Sequence, residues 1–126
     1  MAAGDQFSPS QRAEIDRAIR DAETACRFEF SVYVGTASAE SKPFARKLHA
    51  ALASPERSVL ILVDPTARLI EVVTGSVVRR SLSEESVRLA VAGMESAFAG
   101  GDLVGGIKHG VAQLAEAARK PHTLHA

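Results

Sequence analysis

Tryptophan is absent and tyrosine occurs once, so the core of this chain cannot be organised around large aromatic anchors. Aromatic residues make up 5% and apolar residues 46%, which leaves Ala, Val, Leu and Ile to build a core of helices packed closely on a sheet. Cysteine also occurs once, at Cys26, which excludes an intrachain disulfide and a cysteine-based structural zinc site and fits a reducing compartment. An excess of one charge is missing: 15 basic and 15 acidic residues leave no net field to favour nucleic acid, an anionic membrane or a polyanionic substrate. No apolar run approaches the ~18 residues of a membrane-spanning helix, and MAAGDQ has neither the basic nor the apolar stretch of a secretory signal. These absences lead to the expectation of a cytoplasmic protein with no nucleic-acid or membrane partner and with a monomer favoured. The length of 126 residues suits one domain over 1–126, with a core at about 7–119 and a frayed tail at 120–126.

What is present is a strong alternation of helix and strand signals. Ser8, Pro9 and Gln11 form a capping box with proline at the first helical position, and Ile15, Ala18, Ile19, Ala22 and Cys26 follow at helical spacing. Cys26 on that stripe reads as a small packed hydrophobe. Asp16 with Arg20 and Glu23 with Arg27 are expected to pair on the wet face. FEFSVYV then alternates with period two, the mark of a strand. A second helix is expected from Ser41 as cap and Pro43 in the first turn, with Phe44, Ala45, Leu48, Ala51 and Leu52 on its inner face.

SVLILVDPTARLIEVVTG places two β-branched runs on either side of Asp64-Pro65-Thr66-Ala67, which predicts an antiparallel hairpin over 59–63 and 69–73. VVRRS can add a short edge strand. Ser83 caps a third helix with Val87, Ala90, Val91, Met94 and Phe98 inward and Glu84 placed to pair with Arg88. Ala99-Gly100-Gly101 ends it, and Asp102 caps a fourth helix carrying Leu103, Ile107, Val111, Leu114 and Ala118. Gly106 and Gly110, four apart, predict a close approach to a neighbouring element. The order α-β-α-β-β-α-α, with a parallel crossover through the second helix, gives an α/β fold: a three-layer α/β/α sandwich with a small mixed sheet.

Chemical motifs are scarce. The loops supply no convergent carboxylates for a metal ion, and His49, His109, His122 and His125 include no pair at ligating spacing, so no metal and no cofactor are expected. Gly-x-Ser-x-Gly is absent, and the run from Gly100 to Gly106 reads as a helix cap because Asp102 would repel a phosphate. Arg79-Arg80 reads as a surface pair. Ligands of open α/β sheets gather beyond the carboxyl ends of parallel strands, and that edge collects Thr36, Ser38, Ser41, Asp64, Thr66 and Arg68 as candidate ligand-binding residues. The competing structural reading has Asp64 stabilising its turn, Ser41 capping its helix and Arg68 pairing with Asp64.

FSPSQRAEIDRAI, FEFSVYV, the central hairpin, SLSEESV and FAGGDLVGGIKHGVAQL together resemble the TPM domain family, named after thylakoid-lumen phosphatase, photosystem II repair and acetylcholine-receptor-modulating proteins. The likeness covers about residues 7 to 117 and looks like an uncharacterised actinobacterial branch. It implies an α/β/α sandwich. Some members are weak acid phosphatases with bound calcium, whereas others look like assembly modules. Here the Gly- and Asp-rich loop of many members is reduced to Ala53-Ser54-Pro55-Glu56-Arg57, and their Gly-x-Gly after the third strand is Gly75-Ser76-Val77. The signal peptide and anchor of many members are not expected here. The expectation is a non-catalytic TPM-like domain for protein interaction or small polar-ligand binding, with a weak acid-phosphatase-like hydrolase as the alternative.

Overall fold

Burial is set strand by strand. A computed structural model describes residues 2–3, 7–38 and 40–119; the tail at 120–126, with His122 and His125, lies outside the described residues. The sheet runs β1 (Ala2–Ala3), β2 (Glu29–Val34), β3 (Ser58–Asp64), β4 (Leu69–Thr74), in that spatial order. β1, β2 and β3 are parallel, and β4 returns antiparallel with Leu60 opposite Val73 and Leu62 opposite Glu71. β1 was not foreseen, because two alanines show no alternation. The remaining order is the expected one: α1 (Pro9–Cys26), β2, α2 (Ser41–Ala50), β3, β4, α3 (Glu84–Ala99) and α4 (Leu103–Ala118).

Alternation along the strands sends side chains to two unequal cores. Phe30, Val32, Val34, Val59, Ile61 and Val63 face α1, α3 and α4, with α4 packed between the other two. Leu60 and Leu62 face α2 alone, where Ala45 is buried and Phe44, Leu48 and Leu52 close the edge. The result is an α/β sandwich with three helices on one face and one on the other.

Most local signals act as their chemistry dictates. The Ser8–Gln11 capping box is complete, with Gln11 N–H donating to Ser8 Oγ at 3.1 Å and Ser8 N–H donating to Gln11 Oε1 at 2.9 Å. Ser83 Oγ and Asp102 Oδ1 accept N–H bonds from Ser86 and Gly105. Gly106 and Gly110 sit where α4 meets α3: a methyl group at either would fall 2.5 Å from the Phe98 ring or from Met94 Sδ. Five expectations are corrected. VVRRS contains a 3-10 turn, Val78–Arg80, that drives Val78 into the core. Glu40, not Ser41, occupies the cap position of α2, and the Ser41 hydroxyl donates to Glu71 at 2.6 Å. Glu23 accepts the Phe30 N–H at 2.9 Å, so α1 is fastened to the start of β2 while Arg27 turns left-handed as the helix C-cap. Neither it nor Asp16 forms its expected ion pair among the described residues, and Arg88 pairs with Glu85 in place of Glu84.

The turn after β4 folds back under the segment before β3. Gly75 N–H donates to Ser58 O at 3.0 Å and Val77 N–H to Glu56 O at 2.9 Å, so the two backbones touch at Gly75, where a methyl group would collide with the Pro55 and Glu56 carbonyls. Gly93, inside α3, has ordinary room, with Gln113 Oε1 3.5 Å from an added methyl. Gly75→Ala is expected to destabilise the protein by about 1–3 kcal/mol or more through overpacking, whereas Gly93→Ala stabilises by about 0.4–1 kcal/mol. Urea unfolding of the two variants beside the parent measures both signs.

Candidate functional site

The carboxyl ends of β2 and β3 are joined by an aspartate. Asp64, only 4% exposed, ends β3; its Oδ1 accepts the Ala67 N–H and its Oδ2 the Ala37 N–H, both at 3.1 Å. Gly35 N–H donates to Val63 O at 2.9 Å just beside it. One buried carboxylate therefore clamps the hairpin turn and the loop after β2, two segments 27 residues apart. A buried carboxylate in an open sheet is tolerated because both oxygens accept from backbone donors that would otherwise go unmet.

The other residues anticipated at this edge divide into two sets. Thr36, Ser38, Thr66 and Arg68 are exposed around the clamp, and the Thr36 carbonyl takes the Tyr33 hydroxyl at 3.5 Å. Ser41 is held to Glu71 on the α2 side of the sheet. Arg68 forms no ion pair with Asp64, a correction to the structural expectation: Asp64 is buried on two backbone N–H groups while Arg68 is exposed. It closes the turn at φ 58°, a left-handed conformation, with its side chain in solvent.

Arg68 instead lines a cavity of about 540 Å³ between the hairpin tip and the corner where α3 passes into α4. Asp64, Pro65 and Ile70 form one wall; Glu95, Phe98 and Leu103 form the other. Sequence reasoning missed this second wall. Phe98 and Leu103 were read as core positions, and nothing local says that the α3–α4 corner comes over the hairpin. Its available signal was the FAGGDL corner itself, which is too short to specify a partner. The cavity thus offers the Arg68 guanidinium, the Glu95 carboxylate and an apolar floor, whereas Thr36, Ser38, Ser41 and Thr66 lie outside its lining.

The remaining reactive groups are committed elsewhere. His49 is buried with Nε2 3.0 Å from the Ser58 carbonyl, fastening α2 to the start of β3. Cys26 is buried in the larger core, and burial pushes its thiol above the ordinary cysteine range, which favours the unreactive neutral form. Calcium, implied by the TPM resemblance, requires about 6–8 oxygen ligands. The residues present do not fit it: Asp64 is buried on two N–H donors, and no three His, Cys, Asp or Glu side chains converge among the described residues. No helix among those residues is long and apolar enough to cross a membrane.

With that geometry in view, the family can be stated. A model described as "Domain of unknown function (DUF5130)" matches residues 2–115. The chain belongs to the DUF5130 family. It is 34% identical over 101 residues to the uncharacterised proteins Rv2468c and MT2543 of two Mycobacterium tuberculosis strains, an overlap covering 80% of this chain. The chain spans about 60% of the length of those relatives. Among solved structures it is similar to the BA42 protein of Bizionia argentinensis, with TM-score 0.79, 19% identity and coverage of 90% of this chain and 82% of that one. It is also similar to the N-terminal domain of the Corynebacterium glutamicum cg2496 protein, with TM-score 0.72, 14% identity and coverage of 99% and 88%. At such identities the likeness is one of fold.

Two outcomes follow from the clamp. Asp64→Ala, which strands two N–H groups, is expected to cost about 1–3 kcal/mol in denaturant unfolding, with Asp64→Asn losing less because its amide oxygen keeps one acceptor. Thermal melts in calcium and in chelator are expected to coincide; an upward shift in calcium would show that carboxylates converge after all.

Proposed function

We propose that this DUF5130 chain is a non-catalytic recognition domain of TPM type, a single domain over 1–126, that binds a small polar ligand or a polar group of a partner protein at the hairpin mouth. The observation that carries the reading is Arg68: exposed, without an ion-pair partner among the described residues, lining the cavity, and seated at φ 58°. Glycine takes that conformation without strain, whereas an L-residue costs roughly 1–2 kcal/mol. Non-glycine residues in such positions gather at ligand sites, where a side chain compensates for the strain. The Arg68 guanidinium suits a carboxylate or similar anion, while Glu95 across the cavity suits an amine or hydroxyl on the same ligand, with the exposed Thr36, Ser38 and Thr66 flanking the Asp64 clamp outside the cavity lining.

Asp64 supports binding over hydrolysis. A hydrolase of the acid-phosphatase kind requires a free carboxylate or a metal-activated water at this edge. Asp64 is buried, with its lone pairs directed at Ala37 and Ala67. The TPM assignment draws support from the sandwich architecture and from the Phe98–Asp102 corner that walls the cavity. A cytoplasmic setting suits the single buried thiol of Cys26.

The test is a titration of the isotopically labelled protein with free and N-acetylated amino acids, followed by amide shifts at Arg68, Phe98 and Leu103. Arg68→Gly is expected to raise stability by about 1 kcal/mol by relieving the left-handed strain while weakening binding at least tenfold. Binding that survives the change, or unfolding caused by it, would make the mouth structural. Phosphate release from p-nitrophenyl phosphate, lost in Asp64→Asn, would replace recognition with the hydrolase reading.

A further inference from the structure

β4 is an edge strand, and the phase of its ladder fixes which backbone groups it leaves open. Gly75 N–H donates to Ser58 O, and hydrogen-bonded positions alternate along an antiparallel pair, so Val73 and Glu71 turn their N–H and C=O groups onto β3. Ile70, Val72 and Thr74 turn theirs outward. The Arg79 guanidinium takes the Thr74 carbonyl, consistent with that phase. The outward N–H and C=O groups of Ile70 and Val72 have no partner among the described residues.

This open edge floors a groove of about 650 Å³ between α2 and α3. Val72 and Val73 are half-buried at its base, with Val87 and Val91 along the α3 wall. Four cations line it, Lys42 and Arg46 from α2 on one side and Arg79 and Arg88 on the other, against two carboxylates, Glu71 and Glu95. Glu71 already accepts the Ser41 hydroxyl, while Lys42 and Arg46 form no ion pair among the described residues. In a chain with no net charge, this is a local cationic excess along an unpaired strand.

We propose that the outer edge of β4 accepts an extended acidic peptide as an added strand. Main-chain bonds to Ile70 and Val72 supply affinity; carboxylates on one set of alternate peptide residues meet Lys42 and Arg46 on the α2 side, and apolar residues of the other set lie against Val87 and Val91 on the α3 side. Charge decides against a second copy of the chain, because two such edges would oppose the same cationic excess. The proposal does not involve Arg68, although Ile70 and Glu95 line both this groove and the hairpin cavity.

The probe is a blocked heptapeptide of alternating Glu and Val, added to the labelled full chain. Expected results are shifts and slowed hydrogen exchange at the Ile70 and Val72 amides, no such change with the Lys-for-Glu peptide, and affinity that falls with salt. The double variant Lys42→Glu, Arg46→Glu is expected to weaken binding at least tenfold. Val72→Pro removes one outward donor and is expected to abolish it. Should that variant fail to fold, peptides N-methylated on one or the other set of alternate residues ask the same question of the unaltered protein: one phase loses binding and the other keeps it. No binding, shifts away from β4, equal binding of the lysine peptide, insensitivity to the charge reversal, equal binding of both N-methyl phases, or a peptide-free dimer through β4 would each overturn the proposal.

Discussion

Every residue of β3 is buried, and the rest of the molecule is arranged around that condition. A strand with both faces apolar is stable only if both are covered and all its backbone groups are paired. Neighbouring β2 and β4 supply the pairing, α2 covers Leu60 and Leu62, and the helical layer of α1, α3 and α4 covers Val59, Ile61 and Val63. The two ends of β3 carry its buried polar residues. Ser58 donates to the Ser54 carbonyl at 2.6 Å and its own carbonyl meets His49, while Asp64 accepts two amides. Polar groups at such depth are tolerated because each has a partner.

The architecture was legible in the sequence because it is written in local signals. A capping box, a period-two run at Phe28–Val34 and an Asp-Pro turn between β-branched runs each specify an element over a few residues. The errors share one cause. Glu23, Ser41 and Arg68 have local partners that spacing favours, yet Glu23 and Ser41 satisfy residues from other elements, and Asp64 is turned inward onto Ala37 and Ala67 while Arg68 is exposed. A local ion pair on a wet face is worth only a few tenths of a kcal/mol, less than a bond that saves a half-buried backbone N–H from desolvation. Spacing alone cannot see that competition. The candidate edge was legible as a place, since strand ends and helix starts gather there, but the wall of Glu95, Phe98 and Leu103 arises from tertiary packing.

Rigidity and openness coexist at the hairpin because the clamp is internal to it. Asp64 directs its carboxylate inward to Ala37 and Ala67, which fixes the turn geometry and leaves Arg68 to project outward from a strained backbone. A side chain presented from a fixed turn loses less entropy on binding than one presented from a loose loop. The same economy governs β4. Its inner groups are bound in register to β3, so its outer groups stand in a row with strand geometry already set, and an incoming segment need order only itself.

The two surfaces meet at Ile70 and Glu95, which line both the hairpin cavity and the β4 groove. They differ in what they can recognise. On the readings proposed above, the cavity would take one compact polar group through side chains, and the groove an extended backbone and a pattern of charge. A segment lying along β4 would bring one end to the cavity, and the two free energies would then combine through the effective concentration that linkage imposes. Glu95 sets the polarity of that junction: it repels a carboxylate at the meeting point and leaves Arg68 beyond it to receive one, so acidic residues are favoured on either side of the junction and not at it.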